Sequence, residues 1–230
     1  MPAASEHPDW RTSLRFERAI FFSDAVMAIA ITLLLVDVRP PETGDATYEA
    51  ALLAMLRQPA PFIAVAIGFF VLGSYWMSHR SVFTLLMGTS RGVLWANLLF
   101  LFGVAIQPFF TAALAAHAPN AVSVTAYAAC QVFTGLALWL VWLMALRRPD
   151  LLAASVTPRR RRFIHVQLVR GPIVFALSIP VVTLISPVAG MLTWAVAIPI
   201  AIVAARLFPD LTRDPDSVPR GPAPDPVEGR

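Results

Sequence analysis

The sequence predicts an all-α integral membrane protein with six transmembrane helices and both termini in the cytoplasm. Three observations support this fold class. Hydrophobic residues make up 57% of the 230-residue chain and charged residues only 14%, against roughly 45–50% and about 25% in soluble domains. Six apolar segments are long enough to cross a bilayer, whose hydrocarbon layer is about 30 Å thick. Arginines are concentrated in alternate connecting segments, which orients the bundle.

A transmembrane helix needs about 20 predominantly apolar residues, and six segments meet this requirement. The predicted spans are 19–38, 60–77, 93–115, 121–146, 169–185 and 188–207. They use most of the apolar residues, so little of the chain remains for a separate soluble domain. We therefore predict one six-helix membrane domain at residues 1–208. The tail at 209–230 is rich in proline and charge, and we predict that it is disordered and cytoplasmic.

Turn-forming and charged residues separate the spans. Arg39-Pro40-Pro41 ends the first span, and residues 47–58 are predicted to form a short helix at the membrane interface. A tight turn at 117–120 joins the third and fourth spans. Arg147-Arg148-Pro149-Asp150 ends the fourth, and the basic block 159–162 precedes the fifth.

The arginines predict the orientation of the bundle. All 18 basic residues are arginine. With the N-terminus inside, eleven arginines before the tail lie in cytoplasmic segments, and only Arg39 and Arg57 lie outside. The net charge of +4 is therefore a signal of orientation and does not indicate nucleic-acid binding. The single cysteine, Cys130, lies in an apolar run, which excludes a disulfide framework.

The first span carries polar residues that are unusual within a membrane. Ser23 and Asp24 follow Arg18 by five and six positions. A carboxylate inside a transmembrane helix is costly and is by default a functional hypothesis. Alternatively, Asp24 lies near enough to the cytoplasmic edge to be hydrated, with Arg18 as an ordinary flanking anchor. Composition alone does not decide between these two interpretations.

Several short motifs in the first three spans occur together. They are Arg18-x-x-x-Phe22-Ser23-Asp24, Tyr75-Trp76-x-x-His79-Arg80, Asn97 at the start of the third span, and Gln107-Pro108-Phe109-Phe110-Thr111 at its end. In this combination the chain resembles the transmembrane protein 175 family of potassium channels, over roughly residues 15–116. The resemblance implies a homotetrameric cation channel that favours potassium. It also implies a pore lined by the first helix of each subunit, without a carbonyl filter.

The resemblance also implies roles for residues of the first helix. Ile29 matches the gating isoleucine of the family, which forms a hydrophobic constriction, and Leu33 and Val36 would extend this apolar collar. Thr32 matches a threonine implicated in potassium preference. Asp37 lies near the outer mouth, where it would raise the local cation concentration. Without the resemblance, the same apolar stripe would be interpreted as lipid-facing or as core packing.

Helix geometry gives an independent view of the first span. At about 100° per residue, Phe22, Ile29, Thr32, Leu33 and Val36 share one face, whereas Ser23 and Asp24 point away from it. We predict an anchoring cluster that fixes the rotation of this helix. Its members are Arg18, Phe22, Ser23, Asp24, Trp76, His79 and Asn97. Ser23 or Asp24 is expected to bond to the Trp76 indole or to His79, and the sequence leaves the pairing open.

Several motifs are absent from the sequence. It contains no Thr-Val-Gly-Tyr-Gly filter, no phosphate-binding glycine loop, and no nucleophile–base or metal-ligand pattern. We therefore expect no enzymatic activity, no metal site and no cofactor, with K⁺ only as the permeant ion. The expected partners are further copies of the chain, the lipid bilayer and monovalent cations. The arginine-only basic set suggests a prokaryotic protein of the cell membrane.

The main alternative is a secondary transporter or exporter of a small solute. Prolines in the last two spans and the isolated Arg170 are compatible with moving helices. Such a transporter normally needs intramembrane charges at its substrate site and often an internal repeat, whereas only Arg170 and Asp24 offer charge here. A single helix cannot enclose a conduit, so a pore built from the first span requires several subunits.

Overall fold

The computed structural model describes residues 10–36, 47–56, 59–116, 120–154 and 156–195, and over these ranges it contains helices and loops. The helices are α1 (Trp10–Leu33), α2 (Tyr48–Leu56), α3 (Pro59–Phe83), α4 (Arg91–Ala116), α5 (Ala121–Leu146) and α6 (Pro158–Leu184). A 3₁₀ turn covers Pro149–Leu151, and residues 187–195 are helical. Within the described ranges, four segments are long and apolar enough to cross a membrane. They are Pro61–Phe83, Arg91–Ala116, Ala121–Leu146 and Pro158–Leu184.

The third and fourth predicted spans match α4 and α5 closely, because polar caps define where these helices begin. The side chain of Asn120 accepts a hydrogen bond from the Val122 amide at 2.7 Å, which satisfies one of the free N–H groups at the start of α5. The Ser90 hydroxyl accepts one from the Val93 amide at 3.3 Å at the start of α4. The short helix predicted at 47–58 is present as α2.

Two helices begin earlier than their predicted spans. α1 begins at Trp10 instead of residue 19, and α6 begins at Pro158 instead of 169. The basic block 159–162 is therefore helical and continuous with the fifth predicted span. The prediction of spans counts apolar residues and therefore leaves out a charged first turn. Charged residues can nevertheless form the first turn of a helix. Thr157 caps α6 by accepting from the Arg160 amide at 3.2 Å, and proline at the first helical position is favourable.

The first span also ends differently from its prediction. The α-helix stops at Leu33, and residues 34–36 form a turn. In this turn the Val36 amide donates to the Leu33 carbonyl at 3.1 Å, three residues back rather than four. The helix tightens there, as is common at helix ends. Residues 37 and 38 lie outside the described ranges, as do the sixth predicted span beyond 195 and the tail at 209–230.

Close helix packing forms the centre of the bundle, where α5 lies between α4 and α6. A Cβ added at Gly103 of α4 would lie 2.5 Å from the Thr134 hydroxyl of α5. A Cβ at Gly135 would overlap the ring of Pro172 in α6. Small residues of this kind allow membrane helices to approach closely. The apolar core around them includes Leu72, Phe100, Val141 and Trp142, all fully buried.

Two loops meet at one end of the bundle. The loop after α3 and the loop after α5 form an antiparallel bridge between Leu86 and Leu152. Its backbone bonds run from the Met87 amide to the Leu151 carbonyl at 2.8 Å and from the Ala153 amide to the Leu85 carbonyl at 3.0 Å. Both loops belong to connections predicted to be cytoplasmic, and the bridge places them on the same side of the bundle.

Candidate functional site

One face of α1 packs against the rest of the protein. Ser23, Met27, Ala30 and Leu34 are all 3% exposed or less, and their spacing of four, three and four residues places them along one side of a helix. This side contacts α3 and α4. The rotation of α1 about its own axis is therefore determined by its packing.

The opposite face of α1 is uncovered within the single chain. Ile29 is 59% exposed, Leu33 is 42% exposed and Val36 is 70% exposed, and Thr32 is exposed as well. The Thr32 hydroxyl donates to the Ile29 carbonyl at 2.8 Å, so its proton is occupied and its oxygen can still accept a hydrogen bond. The residues predicted for the pore thus lie together on the free face. Asp37 lies outside the described residues.

A directed chain of hydrogen bonds joins α1 to α4 and α3. The Asn97 amide nitrogen donates to the Ser23 hydroxyl at 2.9 Å, and Ser23 in turn donates to the Ala19 carbonyl at 2.8 Å. The Asn97 amide oxygen lies 3.0 Å from Nε2 of His79. Because an amide oxygen only accepts, Nε2 carries the proton in this arrangement. All three side chains are buried, where an unmade bond is expensive.

A second contact joins α1 to α3. The Trp76 indole N–H donates to Oδ1 of Asp24 at 3.0 Å, and the Arg80 guanidinium lies 6.0 Å from the centre of the Trp76 ring. A cavity of about 360 Å³ borders Asp24, Trp76 and Arg80. Asp24 is therefore hydrogen-bonded on one side and borders a cavity on the other.

The structure brings five of the seven predicted cluster residues into hydrogen-bond contact. These five form what we call the anchoring cluster: Ser23, Asp24, Trp76, His79 and Asn97. Arg18 and Phe22 are exposed on α1 and are not brought into it. The reason is geometric, because at about 100° per residue both point within about 20° of Ile29, roughly opposite the buried face.

Sequence reasoning missed three side chains that support the cluster. The His79 ring stacks on Phe83 with ring centres 4.2 Å apart and on Phe100 with centres 5.4 Å apart, and Arg80 lies over Trp76. The spacing held a usable signal, since Trp76 and Arg80, like His79 and Phe83, are four residues apart and face each other on a helix. Phe100 is on another helix, and no local pattern indicates its contact.

The bundle and the anchoring cluster define an α-helical membrane protein whose first helix is held by polar contacts at Ser23 and Asp24. A family model described as "Endosomal/lysosomal potassium channel TMEM175" matches residues 18–108. A potassium channel of Streptomyces collinus is 31% identical over 163 residues, covering 69% of this chain and 78% of that protein. A potassium channel of Chamaesiphon minutus is 29% identical over 164 residues, covering 68% and 81%.

The fold agrees with these sequence matches. The crystal structure of a lysosomal potassium-selective channel TMEM175 homolog from Chamaesiphon minutus superposes with a TM-score of 0.70 and 23% identity. The match covers 83% of this chain and 98% of that one. The chain belongs to the TMEM175 family, which confirms the resemblance inferred from the motifs. The family model begins at Arg18 and ends at Pro108, within the region that carries those motifs.

Proposed function

We propose that this protein is a potassium-permeable cation channel, a homotetramer of six-span subunits in the cell membrane with cytoplasmic termini. Membership of the TMEM175 family and the relatives named as potassium channels support it. The observation that carries the pore assignment is the division of α1 into an anchored face and a free face. A conduit requires several subunits, and the free face is the surface that each copy of α1 would turn toward the symmetry axis.

The proposed pore is closed by side chains rather than by backbone. Four copies of Ile29 form an apolar constriction that resists wetting when it is narrow, and Leu33 and Val36 prolong this collar. Thr32 lies on the same exposed face, with its hydroxyl proton bonded to the Ile29 carbonyl. Its oxygen lone pairs are then available to a partly dehydrated potassium ion. Asp37 keeps its predicted role of attracting cations at the outer mouth.

The anchoring cluster serves orientation in this proposal. Ser23 and Ile29 are separated by about 120° around the helix axis, so holding Ser23 against Asn97 directs Ile29 away from the protomer. The Asp24–Trp76 bond adds a second point of attachment. Arg18 and Phe22 share the free face, so any anchoring by these two residues acts through neighbouring subunits.

The constriction is tested by flux measurements on purified protein in liposomes. Ile29→Ser is expected to raise K⁺ flux several-fold, because a small polar side chain lets water enter the constriction. The matched control is Ile63→Ser on α3, since Ile63 is similarly exposed at 52% but lies off the proposed pore. Absence of K⁺ flux in the wild type, or equal effects of the two substitutions, would contradict the proposal.

Selectivity and assembly have separate tests. Thr32→Ala should lower the K⁺-to-Na⁺ permeability ratio, measured from bi-ionic reversal potentials, while conductance persists. An unchanged ratio would remove Thr32 from the selectivity mechanism.

Native mass spectrometry in mild detergent should give four copies of the 25.0 kDa chain. A stable monomer or dimer under these conditions would favour the transporter alternative.

A further inference from the structure

A second polar cluster lies between α4 and α5, apart from the anchoring cluster. This glutamine cluster consists of Gln107, Tyr127 and Gln131, and each residue is 0% exposed. Both glutamine side chains lie beside the Tyr127 hydroxyl without meeting hydrogen-bond geometry. Five polar atoms are involved, namely both amide atoms of each glutamine and the tyrosine oxygen. They have no hydrogen-bond partner among the described residues.

Three hydroxyl groups on the helices around the cluster already donate to backbone carbonyls. Tyr75 donates to the Gln131 backbone carbonyl at 2.8 Å. Thr134 donates to the Cys130 carbonyl at 2.8 Å, and Thr111 donates to the Gln107 carbonyl at 3.1 Å. These donors serve the backbone and not the glutamine amides. Pro108 has no N–H, so α4 also lacks one helical donor immediately after Gln107.

The ring of Tyr127 is held in place from its apolar side. It packs against Trp194 with ring centres 5.2 Å apart and against Phe175 with centres 6.3 Å apart. The ring is therefore confined, and its hydroxyl cannot turn toward bulk water. Unpaired polar groups are costly inside a protein and more so within a membrane, where no bulk water substitutes. A ligand that pairs with these five atoms would therefore stabilise the cluster.

We propose that the glutamine cluster is a binding site for one or two ordered water molecules inside the membrane-spanning bundle. The amide oxygens need donors and the amide nitrogens need acceptors, and water supplies both. A cation would pair with the oxygens and face unfavourable N–H groups, an anion would do the reverse, and an apolar ligand would pair with neither. Buried waters typically make two to four hydrogen bonds, so one or two molecules match the five atoms.

The test is X-ray hydroxyl-radical footprinting of the intact protein in lipid nanodiscs, read by mass spectrometry. Radicals formed from a bound water react with the side chains beside it, so Tyr127 should be modified several-fold faster than its burial predicts. The matched control is Phe100, a reactive aromatic side chain that is also 0% exposed and stacks on other rings. Modification of Tyr127 no faster than that of Phe100 would overturn the proposal, and this comparison needs no variant.

Two variants provide a second measurement. In Gln107→Leu and Gln131→Leu, the modification of Tyr127 should fall to the Phe100 level, because the water loses its partners. The unfolding midpoint should also fall, since a bound water and the remaining amide are left unsatisfied. If the glutamine cluster held no water, the unfolding midpoint would rise instead, because an apolar group would replace an unpaired amide. Persistent labelling of Tyr127 in folded variants would likewise overturn the site.

Discussion

The anchoring cluster and the glutamine cluster are both buried, yet their polar groups are paired in different ways. In the anchoring cluster, His79, Asn97 and Ser23 form a directed chain within the protein, with bonds of 2.8–3.0 Å. In the glutamine cluster, the side chains of Gln107 and Gln131 have no partner in the described protein. Direct bonds fix one helix against another, whereas an exchangeable ligand permits adjustment. The first arrangement suits the orientation of a helix, and the second leaves polar groups available to a bound ligand.

The largest effect is expected from Asn97→Leu, which breaks the anchoring cluster in two places. It removes the acceptor of His79 and the donor to Ser23, so we expect a loss of about 2–4 kcal/mol in the free energy of unfolding. Denaturant titration in mixed micelles, followed by tryptophan fluorescence, measures this loss. Gln131→Leu is the matched control in the glutamine cluster. A loss for Asn97→Leu no larger than that of the control would remove the distinction between the two clusters.

The next effect concerns the close approach of α4 and α5 beside the glutamine cluster. Gly103→Val would place new atoms against Thr134, and overpacking of this kind costs about 1–3 kcal/mol. Gly73→Val is the control, because a Cβ there meets nothing within 4 Å. Thermal unfolding of the two variants should show a lowered midpoint for the first only. Equal midpoints would mean that α4 and α5 separate easily.

A smaller effect is expected from Asp24→Ala, which removes the acceptor of the partly exposed Trp76 indole. The loss of stability should be about 1 kcal/mol, and the open probability of the channel should shift while its K⁺-to-Na⁺ permeability ratio stays constant. Asp24→Asn keeps an acceptor for Trp76 and should behave like the wild type. Single-channel recording separates these quantities. An Asp24→Ala variant that assembles normally and loses only its potassium preference would show that the faces of α1 are assigned wrongly.

The smallest effect is expected outside both clusters, at the exposed Arg148–Asp150 pair. The Arg148 guanidinium donates two hydrogen bonds to Asp150 and holds the pKa of that carboxyl below its ordinary value. Because the pKa is lowered in the folded state, this stabilisation is present above pH about 4 and is lost as the pH falls further. Exposed pairs contribute little, so Asp150→Asn should leave the unfolding midpoint at pH 7 unchanged. A clear drop at pH 7 would contradict this.

The sequence predicted the interior of the helices better than their ends. The bounds of α5 were predicted correctly, because a capping asparagine precedes a long apolar run. The starts of α1 and α6 were missed, since hydropathy reports where a helix is in lipid and not where its hydrogen bonds begin. The turn at 34–36 was missed as well, because no glycine or proline marks it before Pro40.

The sequence also predicted only part of the candidate site. The faces of α1 follow from helix periodicity alone, and the structure places Ile29 and Ser23 on opposite faces as predicted. The partners within the anchoring cluster depend on the orientations of α3 and α4, which local spacing does not encode. The helical wheel placed Phe22 near Ile29, yet both Arg18 and Phe22 were predicted to belong to the cluster. Here the residue geometry was the better guide.

The anchoring cluster holds α1 at Ser23, near the middle of the helix, so a tilt about this point moves the residues that follow it. Ile29 lies about 9 Å from this point along the axis and Leu33 about 15 Å from it. A tilt of about 5° moves Ile29 sideways by roughly 0.8 Å and Leu33 by roughly 1.3 Å. In the proposed tetramer, opposite subunits double both displacements. In the proposed tetramer, the bore would therefore widen more at Leu33 than at Ile29.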